Sequence, residues 1–157
     1  MSENKTKLAI IIPCFNEELV VQSTVETLLK VLDRIIAKGK IAEDSYIYLV
    51  DDGSKDKTWE IIENLHQIYG ARVKGTKFIR NYGNQKALIA GLLGVKNIGC
   101  DCVVSIDADL QQDENAIETF IDEYHNGAEI VSGIRNDRKT DSFFKKYTAL
   151  CFYKLMN

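Results

Sequence analysis

The stretch LAIIIPCFNEELVVQSTVETLLKVLDRIIA, Leu8 to Ala37, decides the fold class. Leu8 to Ile12 is an uninterrupted aliphatic run closed by Pro13, the pattern of a strand buried on both faces. The loop Pro13 to Glu18 follows, and from Leu19 to Ala37 the spacing changes. Val21, Val25, Leu28, Leu29, Leu32 and Ile36 then share one helical face, with Gly39 marking its end.

The same alternation continues along the chain. Tyr46 to Val50 is a short β-branched and aromatic run, and Asp56 is placed to cap a helix burying Trp59, Ile62, Leu65 and Tyr69 before Gly70 stops it. Val73 to Ile79 reads as a strand, Gln85 to Lys96 as a helix and Cys102 to Ile106 as a strand. Asn115 to His125 reads as a helix capped from Asp113 or its neighbours, and Glu129 to Ser132 as a strand that closes the sheet. Strands alternating with helices predict an α/β fold, a three-layer α/β/α sandwich with a mostly parallel, Rossmann-like sheet. With 157 residues and 45% apolar side chains, residues 1–157 form one domain.

This reading puts Pro13 to Glu18, Asp51 to Asp56, Arg80 to Asn84, Asp107 to Asp113 and Gly133 to Arg138 after strand carboxyl ends, the edge where open α/β sheets bind ligands. No G-x-G-x-x-G follows the first strand and no P-loop occurs, so phosphate must be held by other means. Lysine and arginine number 20 against 23 acidic residues, and a net charge of −3 argues against nucleic acid as a partner. The polar start Met1 to Lys7 and the short run Leu8 to Ile12 lack the length of a signal core or membrane span, which points to a cytoplasmic location. Cys14, Cys100, Cys102 and Cys151 lack zinc-site spacing and read as reduced thiols.

The strongest chemical signal is Asp107-Ala-Asp109 directly after the apolar run Val103 to Ile106. In an extended segment the two carboxylates point the same way and can hold a hard divalent cation, Mg or Mn, with Gln111 adding an oxygen. The bland alternative, a cap for the next helix, suits Asp113 better. Asp52, in Asp51-Asp-Gly-Ser54, can accept a hydrogen bond from a nucleobase N–H or a ribose hydroxyl, although Asp, Gly and Ser are also ordinary turn residues. Phe15 can lie against a base while Glu17 contacts the ribose or base edge; equally, Phe15 can be core and Glu17 a favourable charge at a helix start. Arg80, Arg135 and Arg138 place guanidinium groups on the same edge, where they can neutralise a diphosphate.

Together these segments, P-C-F-N-E-E at Pro13, V-D-D-G-S-x-D-x-T at Val50 and D-A-D at Asp107, resemble family-two glycosyltransferases of the GT-A fold, the nucleotide-diphospho-sugar transferase architecture. R-N-Y-G-x-x-x-A at Arg80, D-A-D-L-Q at Asp107, G-x-R-x-x-R at Gly133 and the closing F-Y-K-L are similar to polyprenyl-phosphate sugar transferases, such as dolichol-phosphate mannosyltransferase and bactoprenol glucosyltransferase. The resemblance implies inverting transfer of a hexose from UDP-glucose, UDP-N-acetylglucosamine or GDP-mannose to a polyprenyl phosphate, for cell-envelope polysaccharide or glycan synthesis. It implies that Pro13, Phe15, Glu17 and Asp52 line the nucleoside pocket, that Asp107, Asp109 and Gln111 surround Mg or Mn, and that Arg135 meets donor phosphate. The family's D-P-P-E after D-A-D-L-Q is replaced by Gln112-Asp-Glu114, and the relatives continue into acceptor-side and often transmembrane segments, so a C-terminally truncated piece is expected.

Residues 142–157 can form a basic-aromatic helix, with Phe143, Phe144, Tyr147, Leu150, Cys151 and Leu155 beside Lys145, Lys146 and Lys154. Such a helix suits a membrane surface or, with its lysines snorkelling, a core. Two other classes compete with transfer. One is a nucleotide-sugar-binding module without activity. The other is a nucleotidyltransferase, which wants a glycine-rich basic loop where Pro13 to Glu18 has two glutamates and no glycine. No heptad repeat marks an oligomer interface.

Overall fold

The computed structural model describes residues 5–110 and 113–133. The calls on Gln111, Arg135, Arg138, Cys151 and the helix at 142–157 lie outside these residues.

The described residues alternate β1 (Leu8–Cys14), α1 (Val21–Ala37), β2 (Tyr46–Asp51), α2 (Thr58–Tyr69), β3 (Val73–Lys77), α3 (Asn84–Ile98), β4 (Cys102–Ser105) and α4 (Ala116–His125), with a 3-10 turn at Gly70–Arg72. The strands pair in the order β3-β2-β1-β4, every pair parallel. Ile10 lies opposite Ile47 on one side and Val104 on the other, so β1 is the centre of the sheet. That position explains its unbroken aliphatic run: Leu8 to Ile12 are fully buried.

Strand alternation divides the core in two. Leu8, Ile10, Ile12, Ile47 and Leu49 pack with α1, α2 and α4 on one face. Ala9, Ile11, Tyr48 and Val50 pack with Ala87 and Val95 of α3 on the other. This is the α/β/α sandwich expected. Of the α1 stripe, Val21, Val25, Leu28, Leu29 and Leu32 are buried and Ile36 packs against the same core. Lys38 and Lys40 at its end ion-pair with Glu118 of α4 at 2.7 and 2.9 Å and hold that carboxyl down at about 2. α3 approaches the sheet through small residues: a Cβ on Gly91 would come within 2.6 Å of the Ile11 Cγ2 methyl.

Three expectations are corrected. Glu129 to Ser132 forms no strand. The pairing edge left on that side of the sheet belongs to β4, and Cys102–Asp107 lines a groove of 1470 Å³ together with Ala128, Glu129, Val131, Ser132 and Gly133 in place of a ladder. β3 stops at Lys77 rather than Ile79, which is 92% exposed, because the Phe78 N–H to Asp51 carbonyl bond (2.8 Å) is the last β2 offers. β4 ends at Ser105, so Asp107 to Leu110 is a turn closed by the Leu110 N–H on the Asp107 carbonyl (3.3 Å), not an extended segment.

The chain runs outward from β1 to β3, then crosses back to β4 on the other flank of β1. The crevice at the carboxyl ends of β1 and β4 is therefore the topological switch point. Residues 15–18 and 106–110 border it.

Candidate functional site

The loop after β1 and the loop after β2 are latched by reciprocal side-chain to backbone hydrogen bonds. The Ser54 hydroxyl accepts the Asn16 N–H (2.9 Å), the Thr58 hydroxyl the Glu17 N–H (2.8 Å) and the Asp56 carboxylate the Glu18 N–H (3.1 Å). In return Asn16 Oδ1 accepts the Lys55 N–H (3.0 Å) and Glu18 Oε2 the Lys57 N–H (2.9 Å). These bonds satisfy backbone donors that neither helix nor sheet reaches. They give the serine, aspartate and threonine of D-D-G-S-x-D-x-T a defined purpose: holding the P-C-F-N-E-E backbone on the rim. Sequence reasoning missed Ser54 and Thr58. Asn16 adopts φ +57°, the left-handed region that asparagine tolerates.

A third loop packs against these two. Asp52 is 3% exposed, and its carboxylate oxygens accept the N–H groups of Tyr82 (2.7 Å) and Gly83 (2.8 Å). Gly53, at φ +72°, lies so close to the Arg80–Asn81 backbone that a Cβ would come within 2.3 Å of the Arg80 carbonyl carbon. Arg80 is exposed, with its guanidinium 5.0 Å from the Tyr82 ring centroid. Behind the rim, Asp51 is fully buried; its Oδ1 accepts from the Ser54 N–H and hydroxyl, while Lys77 Nζ stands 3.9 Å from Oδ2.

The D-A-D turn is anchored from α1. Ala108 is buried in the core, and its carbonyl accepts the hydroxyl of buried Thr24 at 2.5 Å. This pins the turn at its middle residue and leaves the flanking Asp107 and Asp109 exposed. Across the switch point, Glu17 is half-buried and its carboxyl is raised above the ordinary range, first by burial, then by the negative charges of Asp109 and Asp56. Glu17 also stands at the start of α1, where its carbonyl accepts the Val20 and Val21 N–H groups at 3.1 and 3.0 Å. Phe15, 41% exposed, sits on the rim rather than in the core, and Pro13 is half-buried in β1.

The structure thus gathers Pro13, Phe15, Glu17, Asp52, Arg80, Asp107 and Asp109 along one edge. Among the described residues no group of three or more His, Cys, Asp or Glu side chains is arranged to hold a metal ion. The donor set on the rim is carboxylate oxygen, which suits a hard cation sharing its remaining ligands with a bound molecule. The thiols are not candidates: Cys14 and Cys102 are free, and burial pushes Cys102 up to about 12 and Cys14 further. The N-cap position of α4 is Asn115, a neighbour of Asp113, and the Asp113 carboxylate accepts the Asn115 N–H at 2.9 Å in the turn before the helix.

The glycosyl transferase family 2 model matches residues 9–156. An uncharacterized glycosyltransferase, YkoT of Bacillus subtilis (strain 168), is 53% identical over all of this chain and 46% of its own length. The bactoprenol glucosyl transferase of Shigella phage SfV is 36% identical over 96% of this chain and 46% of its own length. The undecaprenyl-phosphate 4-deoxy-4-formamido-L-arabinose transferase of Edwardsiella ictaluri (strain 93-146) is 36% identical over 93% of this chain and 42% of its own. The chain therefore spans a little under half the length of these relatives. Among solved structures, S. aureus TarS 1–349 superposes with a TM-score of 0.52 at 22% identity, covering 83% of this chain and 40% of that one. The mannosyltransferase PcManGT from Pyrobaculum calidifontis, in complex with GDP-Man and Mn2+, gives 0.54 at 18% identity, covering 74% and 31%. The fold is that of GT-A glycosyltransferases, and the chain belongs to glycosyl transferase family 2.

Proposed function

We propose that this chain binds a nucleotide-diphosphate sugar, UDP-glucose, UDP-N-acetylglucosamine or GDP-mannose, and serves the inverting transfer of its hexose to a polyprenyl phosphate. The observation that carries the reading is the convergence of Glu17 and Asp109 across the switch point, close enough for one charge to raise the other's pKa. Such crowding of acid, beside an exposed aromatic ring, suits a site that receives a nucleoside and a cation together. The names of the bactoprenol and undecaprenyl-phosphate relatives support the lipid-phosphate acceptor.

In this reading Phe15 lies against the base, Pro13 shapes the pocket wall and Glu17 contacts the ribose. Asp52 keeps further lone pairs on each oxygen and offers them to the base, while its bonds to Tyr82 and Gly83 hold the Arg80 loop beside the diphosphate. Asp107 and Asp109, with Gln111, hold Mg or Mn, which when bound supplies positive charge at the departing diphosphate. Arg80 and Arg135 neutralise the same phosphates. A phosphate acceptor is already ionised near neutral pH, so no general base is required of the chain.

Incubation of the protein with each donor, with and without a polyprenyl phosphate, tests this. Nucleoside diphosphate released only when the lipid phosphate is added supports transfer. Donor binding without release under any acceptor favours a binding module instead.

A further inference from the structure

We propose that the outer face of α3, with the loop leading into it, is a docking surface for an anionic lipid membrane. Residues 64–100 contain no Asp or Glu but carry Arg72, Lys74, Lys77, Arg80, Lys86 and Lys96, in a chain whose overall charge is −3. Arg72 and Lys77 turn to the opposite face, where they pair with Asp33 and Asp51, and this leaves Lys74, Arg80, Lys86 and Lys96 as the cations on the α3 side.

The packing of α3 determines what that flank presents. The helix meets the sheet through Ala87, Gly91 and Val95, and its small residues draw the backbone against Ile11 and Tyr48. Longer aliphatics are thereby turned outward: Ile89 and Leu93, one turn apart, are 56% and 59% exposed. Lys86 and Lys96, also exposed, flank this pair on the helical wheel. At the rim Lys86 and Arg80 both stand over the Tyr82 ring, with centroid distances of 5.7 and 5.0 Å, which extends the surface to the candidate site. Lys74 joins it on the same sheet face, 4.5 Å from the centroid of the Tyr46 ring.

An aliphatic crest bordered by cations matches an anionic bilayer. The side chains at its centre enter the acyl boundary while lysine stems lie along it and their ammonium groups reach the headgroups. A second copy fits poorly, because apposing two acid-free helices sets lysine against lysine. Nucleic acid would meet the charges but gain nothing from Ile89 and Leu93.

Co-sedimentation of the full chain with phosphatidylcholine vesicles, with and without phosphatidylglycerol, tests the proposal. Neither sugar donor nor acceptor is present, so its failure and that of the transfer reading are separable. Binding is expected only to the phosphatidylglycerol vesicles and is expected to weaken with salt. Lys86→Ser with Lys96→Ser should lower partition about fivefold per lysine. Ile89→Ser with Leu93→Ser should lower it by about tenfold or more. All four positions are exposed, and matched thermal melts establish that the variants are folded. Absence of partition overturns the proposal, as does unchanged partition of both variants. Sedimentation velocity showing a dimer that Leu93→Ser dissolves would assign the face to a second copy instead.

Discussion

Glu17 combines two opposed demands. Its N–H is fixed by Thr58 at 2.8 Å, which leaves the carboxyl in a half-buried place beside Asp109 and Asp56, where ionisation is disfavoured. With the folded pKa above the unfolded one, stability is fully present below the unfolded value and is lost as pH rises through the folded value. Glu17→Gln should therefore raise the melting temperature at neutral pH and flatten its decline above the carboxylate range, while weakening nucleotide-sugar binding by about tenfold or more as a charged hydrogen bond is lost. Thermal melts across pH, beside binding titrations, check both; a variant that melts lower at pH 7 would show that Glu17 carries no such strain. Each residue of this edge has an ordinary structural use when read alone, and the edge was legible in the sequence because several polar clusters each follow an apolar strand in the same alternating order. Their pairing was not, since Glu17 and Asp109 meet only when β4 returns beside β1.

At the scale of elements, the latch between the loops after β1 and β2 was invisible in the sequence. Its bonds join backbone to side chains that are read locally as turn formers, Ser54 and Thr58 among them. Thr58→Val keeps the volume but leaves the Glu17 N–H without its acceptor and removes a donor to Asp56. A cost of about 1–3 kcal/mol is expected, seen as a melting temperature lower by several degrees, because a stranded backbone donor is penalised more than its bond contributes. A neutral result would mean that water replaces the latch. Helix α1 was legible to within two residues, because its apolar period and Gly39 are independent signals that agree. The strand expected at Glu129 to Ser132 failed for a reason outside its own residues. Ile130 and Val131 have the right composition, but a strand also needs an adjacent edge, and here the nearest lies across a groove.

For the whole molecule, a parallel sheet ordered β3-β2-β1-β4 brings the loops after its strands to one rim. Three loops, cross-tied through Ser54, Thr58 and Asp52, and a fourth pinned by Thr24 line the carboxyl edge of the sheet, with acid and aromatic groups at the crevice between β1 and β4 and Arg80 on the loop after β3. The central claim is that Asp109 and its neighbours bind the donor through a divalent cation. Isothermal titration calorimetry of the chain with UDP-glucose, UDP-N-acetylglucosamine and GDP-mannose, each with and without Mn, tests it most directly. At least one donor should bind in the presence of Mn and lose that binding when the metal is chelated or Asp109 is replaced by alanine; equal affinity in all three conditions would contradict it.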